Sequence, residues 1–208
     1  MTLKYISLFS RIGGFEVSIH KRWPNAECLG YSEIKPSAIK VYEHHYPKHK
    51  NFGDISKITD KQIKELVVEK GGCDLIVAGF PCTNLSSMAT IQGNHDGLEG
   101  PKSTLFYELT RIIKIANPKY IIIENNSMKK CNRKIITDAL NDIMKEPIYM
   151  NMLDAAELGV QTRKRLYWTN FPLENTSKTC EQTWRDILEP LDNIYPLKAS
   201  SKMFVIIR

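Results

Sequence analysis

The chain has 208 residues, 42% of them hydrophobic and 25% charged, which is typical of an ordinary globular domain. No apolar run approaches the ~20 residues that a membrane-spanning helix needs, and the first residues lack the features of a secretory signal. We therefore expect a cytoplasmic protein. The net charge of +6 suits a polyanionic partner such as nucleic acid. The five cysteines form no Cys-x-x-Cys pair, so neither a disulfide framework nor a metal site is predicted.

Apolar, β-branched runs alternate with helical stretches along the chain, which predicts an α/β fold. Strands are expected at Tyr5 to Phe9, Ala26 to Tyr31, a short stretch before Asp54, Asp74 to Phe80, Tyr120 to Glu124, Ile148 to Leu153 and Arg165 to Phe171. Helices are expected at Pro36 to His45, Thr59 to Lys70, Ser103 to Ala116, Arg133 to Lys145 and around Trp184 to Glu189. The central strands are apolar throughout, which predicts a mostly parallel, doubly wound sheet covered on both faces.

The residues that directly follow these strands are the candidates for a site, because ligands bind at the carboxyl ends of the strands in such sheets. Gly13 and Gly14 follow the first strand and Glu33 closes the second. This spacing is typical of sites where glycines let the backbone approach a nucleotide-like ligand and a carboxylate accepts ribose hydroxyl bonds. Asp54 is a candidate acceptor for an adenine amino group, and an N-cap or turn role explains it equally well.

Three further segments carry candidate catalytic groups. Cys82 follows Pro81 at the end of a buried strand, where a thiolate would act at the ligand-binding edge. Glu124 ends another central strand, where desolvation would favour a protonated carboxyl that serves as an acid; a helix N-cap contact is the alternative. Arg163 and Arg165 alternate in a basic segment, so an extended chain would direct both to one face, although basic runs usually lie on surfaces.

In chain order, these segments resemble the motifs of the DNA (cytosine-5) methyltransferase family across roughly residues 3 to 203. The stretch Ser7 to Phe15 is similar to the cofactor loop of that family, and Gly79 to Cys82 to its catalytic motif. Glu124 to Asn126 resembles its Glu-Asn-Val motif, and Gln161 to Arg165 its Gln-x-Arg-x-Arg motif. Some residues, among them Leu105 to Glu108, are also similar to the animal de novo DNA methyltransferases.

The resemblance implies a Rossmann-like, S-adenosylmethionine-dependent methyltransferase fold with an antiparallel C-terminal strand, and methyl transfer to C5 of cytosine in duplex DNA. It implies that Cys82 adds to C6 of a flipped cytosine, that Glu124 holds or protonates N3, and that Arg163 steadies O2, with Arg165 as a further catalytic residue. The residues implied to bind the donor are Phe9, Gly13, Gly14, Glu33, Ile34, Asp54, Ile55, Pro81 and Leu105. We expect a catalytic domain at 1–173 and an irregular extension at 174–208 that leads toward a target-recognition region.

The chain departs from the family at Arg11, Thr83 and Asn126, where glycine, glutamine and valine are expected. It also ends where the target-recognition region and the last two motifs are expected. Two alternatives to a self-sufficient enzyme therefore stay open. One is a catalytically incomplete or regulatory subunit that needs a second polypeptide for target recognition, and the other is a tRNA cytosine-C5 methyltransferase. A bacterial restriction-modification role and a phage protection role are both compatible with an active DNA enzyme.

Overall fold

The computed structural model describes residues 2–81, 104–157 and 159–173. Its elements are β1 (Lys4–Leu8), α1 (Gly14–Arg22), β2 (Glu27–Ser32), α2 (Pro36–His45), a 3-10 helix (Ile55–Lys57), α3 (Asp60–Lys70), β3 (Leu75–Gly79), α4 (Thr104–Ala116), β4 (Tyr120–Asn126), α5 (Lys130–Met144), β5 (Tyr149–Asp154), a second 3-10 helix (Ala155–Glu157) and β6 (Lys164–Thr169). The chain divides into two compact units, 1–152 with 165–173, and 153–164 with 174–208. Within the described ranges, no helix is long and apolar enough to span a membrane.

Within the described residues, the sheet has six strands in the order β2-β1-β3-β4-β6-β5. The first four are parallel to one another, and β6 runs antiparallel to β4. This confirms the predicted fold class, a mostly parallel sheet with an antiparallel C-terminal strand. Alternate residues of the central strands serve two separate cores. Ile6 and Ile76 belong to a large core that includes residues of α3, α4 and α5, whereas Tyr5 and Leu75 pack with Ile19 of α1.

The prediction of a strand before Asp54 was wrong. Asn51 makes only an isolated parallel bridge to Tyr31, and the chain then turns through Gly53, whose φ of 72° is left-handed. The Asn51 side chain accepts a 2.8 Å hydrogen bond from the Gly53 amide, which stabilises a turn in place of a strand. Of the other expected elements, α5 begins at Lys130, ahead of the expected Arg133. The helix expected at Trp184 to Glu189 lies outside the described residues.

Arg111 of α4 fastens that helix to the segment around the first 3-10 helix. Its Nη2 atom donates to the carbonyl oxygen of Ile58 at 2.7 Å and to that of Ile55 at 3.4 Å. Its guanidinium also forms ion pairs with Glu108 at 2.6 Å and with Asp60 at 2.5 Å. The Arg111 and Glu108 side chains are only 27% and 21% exposed, so water replaces few of these bonds when they are lost.

Replacing Arg111 with methionine is therefore expected to lower the free energy of unfolding by about 2 kcal/mol, because it leaves Glu108 and a backbone carbonyl without their donor. Urea denaturation followed by circular dichroism measures this change. Lys134→Met is the matched control, since its partner Asp138 lies one turn away on α5 and both side chains are more than half exposed. That variant should change the free energy by less than about 0.5 kcal/mol. Equal losses in the two variants would contradict this role of Arg111.

A polar aromatic cluster lies between the sheet and the helices α1 and α2. Glu16 of α1 is fully buried, and its Oε1 accepts a 3.0 Å hydrogen bond from the Tyr42 hydroxyl. The same hydroxyl lies 3.0 Å from Nδ1 of His49, whose ring stacks on Tyr46 with a centroid distance of 5.0 Å. Burial, followed by the nearby positive charge of His20, lowers the pKa of His49 to about 4.

The folded protein therefore resists protonation of His49, whose ordinary pKa is 6.5. A depressed folded pKa contributes stability above the unfolded value, and this contribution is lost as the pH falls from 6.5 toward 4. We expect the free energy of unfolding to fall more steeply between pH 7 and about 5 in the wild type than in His49→Gln, because ordinary carboxylates stay ionised in that window. Urea midpoints at each pH test this, and parallel pH profiles would contradict it.

Candidate active site

The sheet order places the strand ends in a row along one edge. The turn that leads to Asp54 lies beside β2, because Asn51 forms a bridge with Tyr31 of that strand. Glu33 follows β2, and the loop of residues 9–13 follows β1. Pro81 comes after β3, and Glu124 lies near the end of β4, so these groups succeed one another in the order of their strands.

A cavity of about 480 Å³ opens along this edge. Seven of the nine residues predicted to bind the donor are among its lining, namely Phe9, Glu33, Ile34, Asp54, Ile55, Pro81 and Leu105. The remaining lining residues are Arg11, Ile12, Ser32, Lys35, Ser37, Ala38 and Gly79. The cavity thus combines apolar walls with two carboxylates, which is typical of sites for small organic ligands.

Gly13 and Gly14, the other two predicted residues, are not among the lining residues. Gly13 has a φ of 92°, and a Cβ atom there would lie 2.9 Å from the ring of Tyr46. The need for glycine at this position thus comes from backbone conformation and from the aromatic cluster beneath the loop. Gly14, which begins α1, has open space where its Cβ would lie.

The Glu33 carboxylate ties the loop after β1 to the loop after β2. Its Oε2 accepts a 2.9 Å bond from the Arg11 amide, and its Oε1 accepts bonds from the Ile34 and Lys35 amides at 2.9 and 2.8 Å. A carboxylate offers about four acceptor positions, so Oε2 retains capacity for one further donor. The Asn51 side chain fixes the backbone of Glu33. Its Oδ1 accepts a 3.3 Å hydrogen bond from the Glu33 amide, and its Nδ2 donates a 3.2 Å hydrogen bond to the Glu33 carbonyl.

Asp54 caps the first 3-10 helix through one of its oxygens. Its Oδ1 accepts bonds from the amide and hydroxyl of Ser56 at 3.0 and 2.7 Å, and these bonds hold the pKa of the carboxyl below its ordinary value. The capping alternative drawn from the sequence is therefore confirmed. Because both bonds use Oδ1, the Oδ2 atom keeps its acceptor positions, and a cap role and a ligand role are compatible in one residue.

Glu124 borders this cavity from β4. Gly79, a lining residue, pairs with Glu124 across the strands, and a Cβ on Gly79 would lie 3.2 Å from Oε2 of that carboxylate. The other oxygen, Oε1, lies 2.9 Å from Nε of Arg165, and both side chains are about one fifth exposed. The structure thus brings Glu124 and Arg165 together.

Asn125 fixes the chain just before the expected nucleophile. Its side chain is 2% exposed and donates a 3.1 Å hydrogen bond to the carbonyl of Phe80. Cys82 itself lies outside the described residues. Arg163 belongs to the second compact unit, where its amide donates a 2.8 Å bond to Asp154. The sequence analysis missed the bonds from Asn51 to Glu33 and from Arg111 to Ile55 and Ile58, because these partners are distant in sequence and leave no local signal. Arg11 was noted only as a departure from the family pattern.

Several known proteins are similar to this chain. The sequence model of C-5 cytosine-specific DNA methylases matches residues 3–201. The type II methyltransferase M.NgoBV of Neisseria gonorrhoeae is 34% identical over 183 residues, which cover 80% of this chain and 41% of that protein. M.HhaI of Haemophilus parahaemolyticus is 30% identical over 81% of this chain and 49% of its own length. The chain therefore spans less than half the length of these curated relatives.

Solved structures show the same fold. The Entamoeba histolytica methyltransferase EhMeth superposes with a TM-score of 0.70 at 24% identity, covering 91% of this chain and 61% of that protein. A Spodoptera frugiperda DNMT2 mutant gives a TM-score of 0.66 at 21% identity, over 91% and 60% of the two chains. With a family match across nearly its whole length, the chain belongs to the C-5 cytosine-specific DNA methylase family.

Proposed function

We propose that this chain carries the donor site and the catalytic residues for methyl transfer from S-adenosylmethionine to C5 of cytosine in DNA. The observation that carries the proposal is the position of Glu124, whose carboxylate lies against the Gly79 wall of the cavity that also contains Glu33 and Asp54. A donor site and a catalytic acid thus lie on one sheet edge. The matching family, which is described as C-5 cytosine-specific DNA methylases, supports the choice of DNA as substrate.

The lining of the cavity fits the donor. Oε2 of Glu33 has a free acceptor position for a ribose hydroxyl, and Oδ2 of Asp54 has acceptor positions for an adenine amino group. Ile34, Ile55 and Leu105 provide apolar surface for a flat ring. Bound there, S-adenosylmethionine supplies an electrophilic methyl group.

The protein's own residues prepare the cytosine. The Cys82 thiolate adds to C6 of a base flipped out of the duplex, and Glu124 holds a proton at N3, so that electron density moves to C5. C5 then takes the methyl group, and S-adenosylhomocysteine is the leaving group. Loss of the C5 proton to solvent, cleavage of the C6–S bond and return of the N3 proton to Glu124 restore the aromatic ring and the thiolate. Arg165 orients Glu124, and Arg163 steadies O2 of the base. The positive charge of the chain favours approach of the DNA backbone.

The decisive experiment follows the tritiated methyl group from S-adenosylmethionine into duplex DNA. Cys82→Ser should abolish transfer, whereas Cys131→Ser, which changes an exposed cysteine of α5, should leave it unchanged. A duplex with 5-fluorocytosine should form a denaturation-resistant adduct with the wild type, because no C5 proton can be removed, and none with Cys82→Ser. Transfer to tRNA in preference to DNA would overturn the proposal that DNA is the substrate. Donor binding without transfer to either would favour a chain that needs a second polypeptide.

Glu124→Gln tests the acid. It should lower the rate of transfer by about 10²- to 10⁴-fold, which is the usual contribution of a positioned acid or base. The donor dissociation constant should stay within about twofold, because other residues hold the donor. Arg165→Met should lower the rate by about tenfold or more through misplacement of the carboxylate, and Lys134→Met should not change it. An unchanged rate in Glu124→Gln would remove this residue from the mechanism.

A further inference from the structure

The loop after β1 holds two residues in a strained conformation. Four described residues other than glycine have a positive φ, and Asn117 and Lys145 directly follow helices, where this conformation is common. The other two, Phe9 at 54° and Arg11 at 51°, line the cavity instead. Such strain in a residue with a side chain persists where the surroundings impose it, and it concentrates at ligand sites.

The strained backbone of Arg11 is held by Glu33, but its side chain has a different environment. The Arg11 amide donates to Oε2 of Glu33 at 2.9 Å, while no ion pair between the guanidinium and a carboxylate occurs within the described ranges. The residue is exposed and belongs to the cavity wall. A cation therefore stands at the cavity with its donors available to a ligand.

The strand order shows which part of the donor this cation faces. Asp54, Glu33, the loop with Arg11, and Pro81 follow one another along the sheet edge. Suppose that adenine lies at Asp54, ribose at Glu33 and the sulfonium near Pro81. The amino-acid portion, which is attached to the sulfonium, then lies near the loop that contains Arg11. Its carboxylate is the only anionic group of the donor, and guanidinium binds carboxylates through paired hydrogen bonds.

We propose that the guanidinium of Arg11 binds the carboxylate of the donor's amino-acid portion, so that this chain selects nucleoside ligands that carry that group. The inference rests on the proposed donor site. It assigns a ligand contact to a residue that stands where the family pattern has glycine, and it gives a reason for the unfavourable φ of Arg11.

Calorimetry with S-adenosylhomocysteine and with 5′-methylthioadenosine, which lacks the amino-acid portion, tests the proposal on the whole chain. Arg11→Gly and Arg11→Asn both tolerate a positive φ and remove the charge. Each should raise the dissociation constant for S-adenosylhomocysteine by about tenfold or more and change that for 5′-methylthioadenosine by less than about twofold. Lys35→Gln, which removes another cation of the cavity wall, should leave the ratio of the two constants unchanged.

Thermal unfolding of the same variants checks that the loop survives, and the melting temperature of Arg11→Gly should not fall, because glycine relieves the strained φ. Equal weakening of both ligands, or unchanged binding of S-adenosylhomocysteine, would overturn the role of Arg11 while leaving the donor site in place. If the wild-type chain bound neither ligand, the donor site itself would be wrong, and this inference with it.

Discussion

The alignment of parallel strands is the constraint on which the rest of the structure depends. Tyr5 of β1 pairs with Leu75 of β3, and Leu75 pairs with Tyr120 of β4, so the three strands start level with one another. Their carboxyl ends therefore reach the same edge, and each polar group that follows a strand meets the others there. The buried apolar residues of these strands set this alignment, because a shift of one residue would exchange the two faces. Burial of hydrocarbon thus determines where the carboxylates lie.

The carboxylates at this edge hold the structure together as well as offering acceptors to a ligand. Glu33 accepts hydrogen bonds from three backbone amides, and Asp54 caps a helix. Each carboxylate keeps acceptor positions beyond those that these bonds use. The site is therefore preorganised for the proposed donor, since the groups assigned to bind it are already fixed by bonds to the protein. The same reasoning applies to Glu124, which Arg165 holds in place from the neighbouring antiparallel strand.

The sequence predicted much of this framework, for reasons that are local. Apolar runs marked the strands, and Thr59 with Gln62 forms the capping box that starts α3. The strand before Asp54 failed because the Asn51 side chain competes for the backbone with an internal turn. The bonds of Arg111 to Ile55 and Ile58 span more than 50 residues, so no pattern in the sequence announces them. The roles of Cys82 and Arg163 stay predictions, which the resemblance to the family supplies.

The place of β6 in the sheet has a consequence for how the protein is made. β6 is the last described strand along the chain, yet it lies between β4 and β5. During synthesis, β5 leaves the ribosome before β6, which is its neighbour among the described strands, so it waits without that partner. Leu166 and Trp168 then enter the core together with β6, and both are fully buried. β6 therefore joins β5 to the described sheet and brings Arg165 to Glu124, and a chain cut short before β6 lacks both features.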